Sequence, residues 1–185
     1  MLTPMLFEPI TIGGLSVKNR INMPPMHTNL GNEDEGITDA GIDFYVARAK
    51  GGFGLVGIGI IDSYFVKGAG SPLEYFLEND RHIANYARCV KEIKKYGAVP
   101  YAQVGVRRLM PVQMMHRESR LSLRDLPTEQ IEQMIQAVVD CAVRAAKAGF
   151  PAVDILGVGG SGHSIFLSQV FNDRTDKWGG SPENR

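Results

Sequence analysis

Two patterns of hydrophobic residues alternate along this chain. Some segments are short, nearly continuous apolar runs, whereas others place an apolar residue at every third or fourth position. The first pattern predicts strands and the second predicts amphipathic helices. The predicted strands cover 21–26, 53–61, 99–104 and 152–157, and the predicted helices cover 38–50, 82–96 and 128–148. Because strand and helix alternate, we expect parallel βαβ units with right-handed crossovers.

The segment 53–61 is the most apolar of the predicted strands. It reads Phe-Gly-Leu-Val-Gly-Ile-Gly-Ile-Ile. Such a run is typical of a strand buried on both faces in a parallel sheet. Its glycines allow another group to approach the backbone closely. A long connection at 105–127 follows the third predicted strand.

Composition narrows the class of protein. The 185 residues are 44% hydrophobic and 22% charged, which fits one globular domain over 1–185 with no internal boundary. Twenty basic residues balance twenty acidic ones, so no positive excess indicates a nucleic-acid or anionic-membrane partner. No apolar run reaches the length of a membrane span, and the N-terminus lacks a signal-peptide pattern. We therefore expect a cytoplasmic protein.

Cysteine spacing and glycine motifs exclude other classes of site. Cys89 and Cys141 both fall in helical patterns, where we expect small buried side chains in a reducing compartment. No cysteine pair has the spacing of a zinc or cluster site, so no metal is expected. No dinucleotide-binding glycine motif follows the first strand, and the glycines after the fourth strand lack a P-loop ending. Periodicity alone does not separate a barrel from an open doubly wound sheet.

Four segments resemble one family. Residues 172–185, N-D-R-T-D-K-W-G-G-S-P-E-N-R, resemble the N-x-R-T-D-x-[YW]-G-G-S-x-E-N-R signature of the Old Yellow Enzyme family of FMN-dependent oxidoreductases. The opening L-F-E-P-I-T-I-G at 6–13 and the Y-x-x-R-A-K-G-G-x-G-L-V-G string at 45–57 resemble family patterns too. The Met-His-Thr string at 26–28 is closest to the 2,4-dienoyl-CoA reductase branch.

The resemblance implies a fold, cofactors and partners. In that family the signature follows barrel strand four, so the chain is expected to be α/β. It would form the first half of an FMN-binding (β/α)8 TIM barrel, with four parallel strands and three helices. FMN is the implied cofactor, NAD(P)H the reductant and a small unsaturated molecule the substrate. The remaining half of the barrel, or self-association, would complete the fold. The phosphate anchor would lie beyond residue 185. So would any iron–sulfur cluster, a question that stays open.

The resemblance also places the flavin ring at the carboxyl ends of the first three strands. The expected contacts are Pro25, Met26, His27, Gly59 and Gln103. A Gln amide suits the polar edge of the ring because it can donate to a ring carbonyl and accept from the ring N3–H.

The segment after the fourth strand departs from the family. Reductases read H-G-[AC]-[HN]-G-Y there, whereas this chain reads L-G-V-G-G-S over 156–161. Leu156 and Gly159 replace the two donors that hold the substrate carbonyl, and Ser161 replaces the Tyr acid. Aligned instead from 167–169, His163 takes the second donor position. His163 and Ser161 are therefore the candidate catalytic residues, and Arg107 with Arg108 could grip a substrate carboxylate or phosphate.

Three hypotheses follow from these patterns. The first is an ene-reductase-like FMN enzyme that reduces an electron-poor double bond, of which this chain is a fragment. The second is a non-catalytic or partner-dependent half-barrel, since the usual acceptor-binding pair and the Tyr acid are missing. The third is a flavoenzyme with new acceptor contacts. Bound flavin distinguishes the first and third hypotheses from the second.

Overall fold

A computed structural model describes residues 4–63, 71–106, 123–158 and 161–185. Within those ranges, a parallel sheet packs against three helices that lie side by side. The strands are β1 (Ile10–Ile12), β2 (Leu15–Val17), β3 (Asn22–Met23), β4 (Gly31–Asn32), β5 (Gly36–Ile37), β6 (Leu55–Asp62), β7 (Tyr75–Phe76), β8 (Val99–Gly105) and β9 (Val153–Ile155). The helices are α1 (Asp39–Lys50), α2 (Ile83–Lys94), α3 (Thr128–Lys147) and α4 (Gly162–Leu167).

The main sheet confirms the predicted topology. Its strands follow the order β3-β6-β8-β9, and every neighbouring pair is parallel. The first strand is much shorter than predicted, since only Asn22 and Met23 are paired. Pro24 and Pro25 follow, and proline has no N–H to donate to a neighbouring strand. β7 pairs in parallel with the carboxyl end of β6, beyond the point where β3 has ended.

The helices begin and end at residues suited to those positions. The Thr38 hydroxyl accepts from the Gly41 N–H at 3.3 Å and caps the start of α1. Gly52 ends that region with a φ of +106°, which favours glycine. A 3-10 turn, Asp80–His82, leads into α2, so this helix begins and ends slightly inside the predicted range. α3 matches its prediction to within one residue.

The core lies between the sheet and the three long helices. Alternate side chains of the strands point into it, as a strand period of two requires. Buried members include Val56, Ile58, Ala102 and Val104 from the strands and Ile42, Tyr86, Ile93, Ile131 and Met134 from the helices. Cys89 and Cys141 are buried and unpaired, as predicted, and burial raises the pKa of each thiol to about 12.

Several short elements and one helix face differ from expectation. The hairpins β1-β2 and β4-β5, strand β7 and helix α4 are too short to show a periodicity. Helical spacing places Ile135 one turn after the buried Ile131 of α3, but Ile135 is 42% exposed and lies one and two turns before the half-exposed Val139 and Val143. Arg107 and Arg108 lie outside the described residues. Among the described residues, no helix has both the length and the apolar character that crossing a membrane requires.

Candidate active site at the carboxyl ends of the strands

Tyr45 joins two of the predicted flavin contacts. It is fully buried on α1, and its Oη accepts from the Gly59 N–H at 3.3 Å and donates to the Met26 carbonyl at 3.4 Å. Burial raises the pKa of Tyr45 well above its ordinary value, so the hydroxyl keeps its proton and remains a donor. In the sequence Tyr45 is only the first residue of a family string, so this link between the ends of β3 and β6 was not predicted.

A second tyrosine extends the same hydroxyl network. Thr28 Oγ1 and Tyr75 Oη share a hydrogen bond of 2.5 Å. The rings of Tyr45 and Tyr75 lie 5.9 Å apart between centroids. Burial is the main cause that raises the pKa of Tyr75. The segment after β3 is therefore held to both α1 and β7. Thr28 belongs to the Met-His-Thr string of the sequence analysis, whereas no sequence pattern marked Tyr75.

Glycines on β6 allow the neighbouring strands to pack closely against its backbone. Gly59 has a φ of +140°, and a Cβ placed there would lie 2.6 Å from the Gln103 carbonyl oxygen. A Cβ at Gly57 would lie 2.7 Å from Cδ of Pro25 and 2.6 Å from the Tyr101 hydroxyl oxygen. Neither position accepts a side chain. The backbone of β6 therefore packs directly against Pro25 after β3 and against Tyr101 and Gln103 of β8.

Gln103 lies beside Gly59 and is held by a carboxylate. Its Nε2 donates to Asp154 Oδ2 at 2.7 Å, and the two residues are direct partners in the register of β8 and β9. Nearby, Asn22 Nδ2 donates to Tyr101 Oη at 3.2 Å. Burial, with the Asp154 charge as a further cause, raises the pKa of Tyr101. Asp154 carried no signal in the sequence beyond its place in the fourth strand.

The other predicted ring contacts follow β3 in one segment. Pro25 is half-buried, whereas Met26 is half-exposed and His27 is exposed. Pro25 packs against Gly57 of β6, and Tyr45 hydrogen-bonds both Met26 and Gly59. Gly59 in turn lies beside Gln103. Their contacts with a flavin stay predictions.

The two catalytic candidates lie together after β9. Ser161 is buried and caps α4, since its hydroxyl donates to the Leu156 carbonyl at 3.1 Å and accepts from the Ser164 N–H at 3.4 Å. His163 Nδ1 donates to the same carbonyl at 3.1 Å. A Cβ at Gly105, two residues after Gln103, would lie 3.8 Å from His163 Cε1. Gly159, the other changed donor position, lies outside the described residues.

These hydrogen bonds make the two candidates unequal as proton donors. The Ser161 proton is committed to the Leu156 carbonyl, so transferring it would break that hydrogen bond. His163 has Nδ1 protonated, because a carbonyl only accepts, and Nε2 is then the nitrogen that exchanges a proton. The geometry therefore suits His163 better than Ser161 for acid chemistry.

The family signature forms a structural clamp. Asn172 Nδ2 donates to the carbonyls of Phe166 and Trp178, each at 2.8 Å. Arg174 is buried, and its Nη1 donates to two carbonyls of the turn before α3, those of Leu123 and Leu126, each at 2.6 Å. The signature therefore ties the segment after α4 to the start of α3.

Asp176 completes the clamp. Arg174 Nε lies 3.0 Å from Asp176 Oδ1, and Arg174 Nη2 lies 2.5 Å from Oδ2. This bidentate pair lowers the pKa of Asp176 to about 2. The carboxylate also accepts from the Trp178 N–H at 3.1 Å. The position of the aromatic residue thus depends on the ion pair.

A mostly apolar cavity of about 220 Å³ adjoins His163. It is bounded by α3, α4 and the end of the chain, with Ile131, Met134, Phe166, Trp178 and Arg185 among its lining residues. Trp178 Nε1 is buried and finds no hydrogen-bond partner among the described residues. The half-exposed Ile135 also lines this cavity.

The polar groups of the site suit an organic ring better than a metal ion. Across the described ranges, no three His, Cys, Asp or Glu side chains are arranged to hold a metal. The site offers the Gln103 amide beside the backbone of Gly59, where a Cβ would approach the Gln103 Cβ to 3.2 Å. The amide fits the polar edge of an isoalloxazine.

Comparisons with known proteins decide the family. A model of the NADH:flavin oxidoreductase / NADH oxidase family matches residues 5–185. The chain belongs to this family. It is 34% identical to an NADH oxidase of Thermoanaerobacter brockii, over 98% of the chain and 30% of that protein. It is also 34% identical to an NADPH dehydrogenase of Bacillus pumilus, over 97% of the chain and 56% of that protein.

A solved structure confirms the barrel. An Old Yellow Enzyme from Pichia sp. AKU4542 superimposes with a TM-score of 0.83 at 26% identity, over 97% of this chain and 53% of that one. The expected α/β half-barrel and the resemblance to Old Yellow Enzyme are therefore confirmed, whereas the dienoyl-CoA reductase branch stays a prediction. The chain spans about half the length of the B. pumilus relative. FMN and NAD(P)H are the cofactors of the family to which it belongs.

Proposed function

We propose that this chain supplies the ring-binding half of an FMN-dependent NAD(P)H oxidoreductase that reduces an electron-poor double bond. The observation that carries the proposal is the juxtaposition of Pro25, Gly59 and the Gln103 side chain, which close packing at Gly57 and Gly59 brings together. It lies at the carboxyl ends of parallel strands, where barrel enzymes bind their ligands. Family membership supports the same cofactor.

Each predicted contact has a role in this proposal. Gln103 hydrogen-bonds the polar edge of the ring, and the backbone around Met26 and Gly59 borders it. Tyr45 holds these two backbone segments at a set spacing, since it bonds both of them. Pro25 and His27 complete the border from the segment after β3. FMN held by these residues would supply the hydride chemistry between NAD(P)H and the acceptor.

Proton delivery to the acceptor falls to His163. In its protonated form Nε2–H would donate, while Nδ1–H stays on the Leu156 carbonyl and keeps the ring oriented. Ser161 supports this arrangement as the cap of α4. Leu156 offers the substrate no side-chain donor, so the acceptor is held differently from the carbonyl compounds that the usual donor pair binds.

A partner-dependent half-barrel is the second candidate, and the free side of β9 favours it. The side chains of Val153 and Ile155 are 38% and 49% exposed, and no described strand pairs with β9 beyond β8. An open strand edge with apolar side chains favours pairing with another strand. The remaining half of the barrel, or a second copy of this chain, would cover it. We also place the protein in the cytoplasm, a proposal that the unpaired Cys89 and Cys141 support.

Flavin binding tests the proposal. The natural full-length protein is titrated with FMN, and binding is followed by quenching of flavin fluorescence. We expect Gln103→Ala to weaken binding about tenfold, the worth of one hydrogen bond to the ring. Gln136→Ala is the matched control, because Gln136 donates to Asp140 at 2.8 Å on the exposed face of α3. Failure of the unmodified protein to bind FMN would reject the first candidate and leave the partner-dependent half-barrel.

A further inference from the structure

Asp154 holds the Gln103 side chain from the neighbouring strand. The two residues are register partners, and Gln103 Nε2 lies 2.7 Å from Asp154 Oδ2. Gly59 lies on the other side, where a Cβ would approach the Cβ of Gln103 to 3.2 Å. The glutamine therefore lies between a carboxylate on one strand and bare backbone on the other.

The chemistry of a carboxylate decides which way the amide points. An ionised carboxylate only accepts hydrogen bonds, so it binds the NH₂ end of the amide and never the carbonyl end. Gln103 Oε1 is consequently turned away from Asp154. A glutamine without this neighbour can present either end to a ligand, since both ends hydrogen-bond equally well.

We propose that Asp154 is a positioning residue that presents the Gln103 carbonyl oxygen, as an acceptor, to the ring N3–H of the cofactor. This inference rests on the proposed FMN site and adds a residue that touches no cofactor itself. The Gln103 amide that meets the ring is thereby preorganised before binding, which avoids the cost of ordering it on association.

The charge of Asp154 has a second consequence. A ring bound by Gln103 would have Asp154 behind that side chain, and the Asp154 charge already contributes to raising the pKa of Tyr101 on the same face of the sheet. A nearby negative charge opposes the addition of electrons to a bound group. Asp154 therefore keeps the reduction potential of the bound cofactor lower than a neutral residue would.

Two substitutions separate orientation from charge. Asp154→Asn keeps an acceptor for Gln103 but removes the charge, whereas Asp154→Leu removes both. We expect Asp154→Leu to weaken FMN binding about tenfold, the worth of about one hydrogen bond. We expect Asp154→Asn to bind FMN within about threefold of the unmodified protein but to favour the reduced form about tenfold, an upward shift of about 30 mV for two electrons.

The measurements use the natural full-length protein. Binding is measured by flavin fluorescence, and potential is measured by equilibration with a reference dye. The side-chain amide signals of Gln103 are followed by NMR without FMN, so that its orientation is tested independently of the cofactor. Asp140→Asn and Asp140→Leu are matched controls, because Asp140 accepts from a glutamine at 2.8 Å on the exposed face of α3.

The outcomes distinguish this inference from the proposed function. Amide signals of Gln103 that move in Asp154→Leu, with the expected changes in affinity and potential, support the inference. Equal FMN affinity and potential in the Asp154 and Asp140 variants overturn it and leave the FMN site in place. Unmoved Gln103 signals in Asp154→Leu overturn it as well. An unmodified protein that takes up no FMN overturns the proposed function and this inference together.

Discussion

Arg174 gives the sharpest stability prediction, because its contacts are buried and its neighbour Arg124 provides a matched control. Arg174 is 6% exposed, and its Nη1 donates to the carbonyls of Leu123 and Leu126 at 2.6 Å each. A hydrogen bond from a charged donor contributes about 1.5–3 kcal/mol. Water that reaches the abandoned carbonyls recovers part of the loss. We expect Arg174→Ala to lower the free energy of unfolding by about 3 kcal/mol.

The control separates this clamp from ordinary surface charge. Arg124 also donates to a backbone carbonyl, that of Asp173 at 2.8 Å, but its side chain is 64% exposed. We expect Arg124→Ala to cost less than about 1 kcal/mol. Urea denaturation of the natural full-length protein, followed by Trp178 fluorescence and by circular dichroism, measures both values. Equal losses for the two variants would refute the reasoning.

The clamp also predicts a pH dependence with a definite sign. The pKa of Asp176 is lowered from 3.8 to about 2 in the folded state, chiefly by the hydrogen bond from Arg174. A lowered pKa means that the carboxylate stabilises the fold above pH 3.8 and that this contribution is lost as the pH falls toward 2. Asp176→Asn should therefore be less stable than the unmodified protein at neutral pH, and the difference should shrink over that window.

Three further changes probe the site and the open edge. Tyr45→Phe should lower the free energy of unfolding by about 1–2 kcal/mol, because the Gly59 N–H and the Met26 carbonyl lose their partner. FMN titration of this variant should also show weaker binding. Unchanged stability and affinity would contradict the link through Tyr45. His163→Ala should leave flavin reduction by NAD(P)H intact but slow reoxidation by the unsaturated acceptor about 10²-fold, as expected for a lost general acid; equal reoxidation rates in a stopped-flow assay would remove His163 from the mechanism. Residues 1–185 alone should self-associate through β9 in sedimentation velocity. Ile155→Lys should reduce that association, since a charge on an open strand edge opposes pairing. A monomeric unmodified chain would contradict the prediction of self-association.

Long periodic segments were predictable, and short irregular ones were not. The strands β6 and β8 and the helix α3 follow from apolar runs and helical spacing, since each repeats its pattern over at least seven residues. β7 has two residues, and only its place beside the end of β6 defines it. No local pattern encodes a pairing of that length.

The residues of the candidate site also divide into those that the sequence could predict and those that it could not. Gly59 and Gln103 could be proposed from family patterns and from their places at strand ends. Tyr45 and Asp154 act through partners that are 14 and 51 residues away along the chain, so their roles appear only when the sheet and α1 are assembled. Ser161 was predicted as a catalytic candidate, and its role as the cap of α4 depends on a six-residue helix that carries no periodic signal.

The strongest sequence signal and the chemistry of this protein lie in different places. Arg174 and its neighbours hold backbone carbonyls and the Trp178 segment, so any change there disturbs packing whatever the acceptor is. After β9, by contrast, the Leu156 carbonyl binds both Ser161 and His163, and this segment keeps its hydrogen bonds without the usual donors and tyrosine. Substitution there changes proton delivery and acceptor binding while the clamp remains. Family membership is therefore readable from the clamp, whereas the acceptor must be sought from the segment after β9.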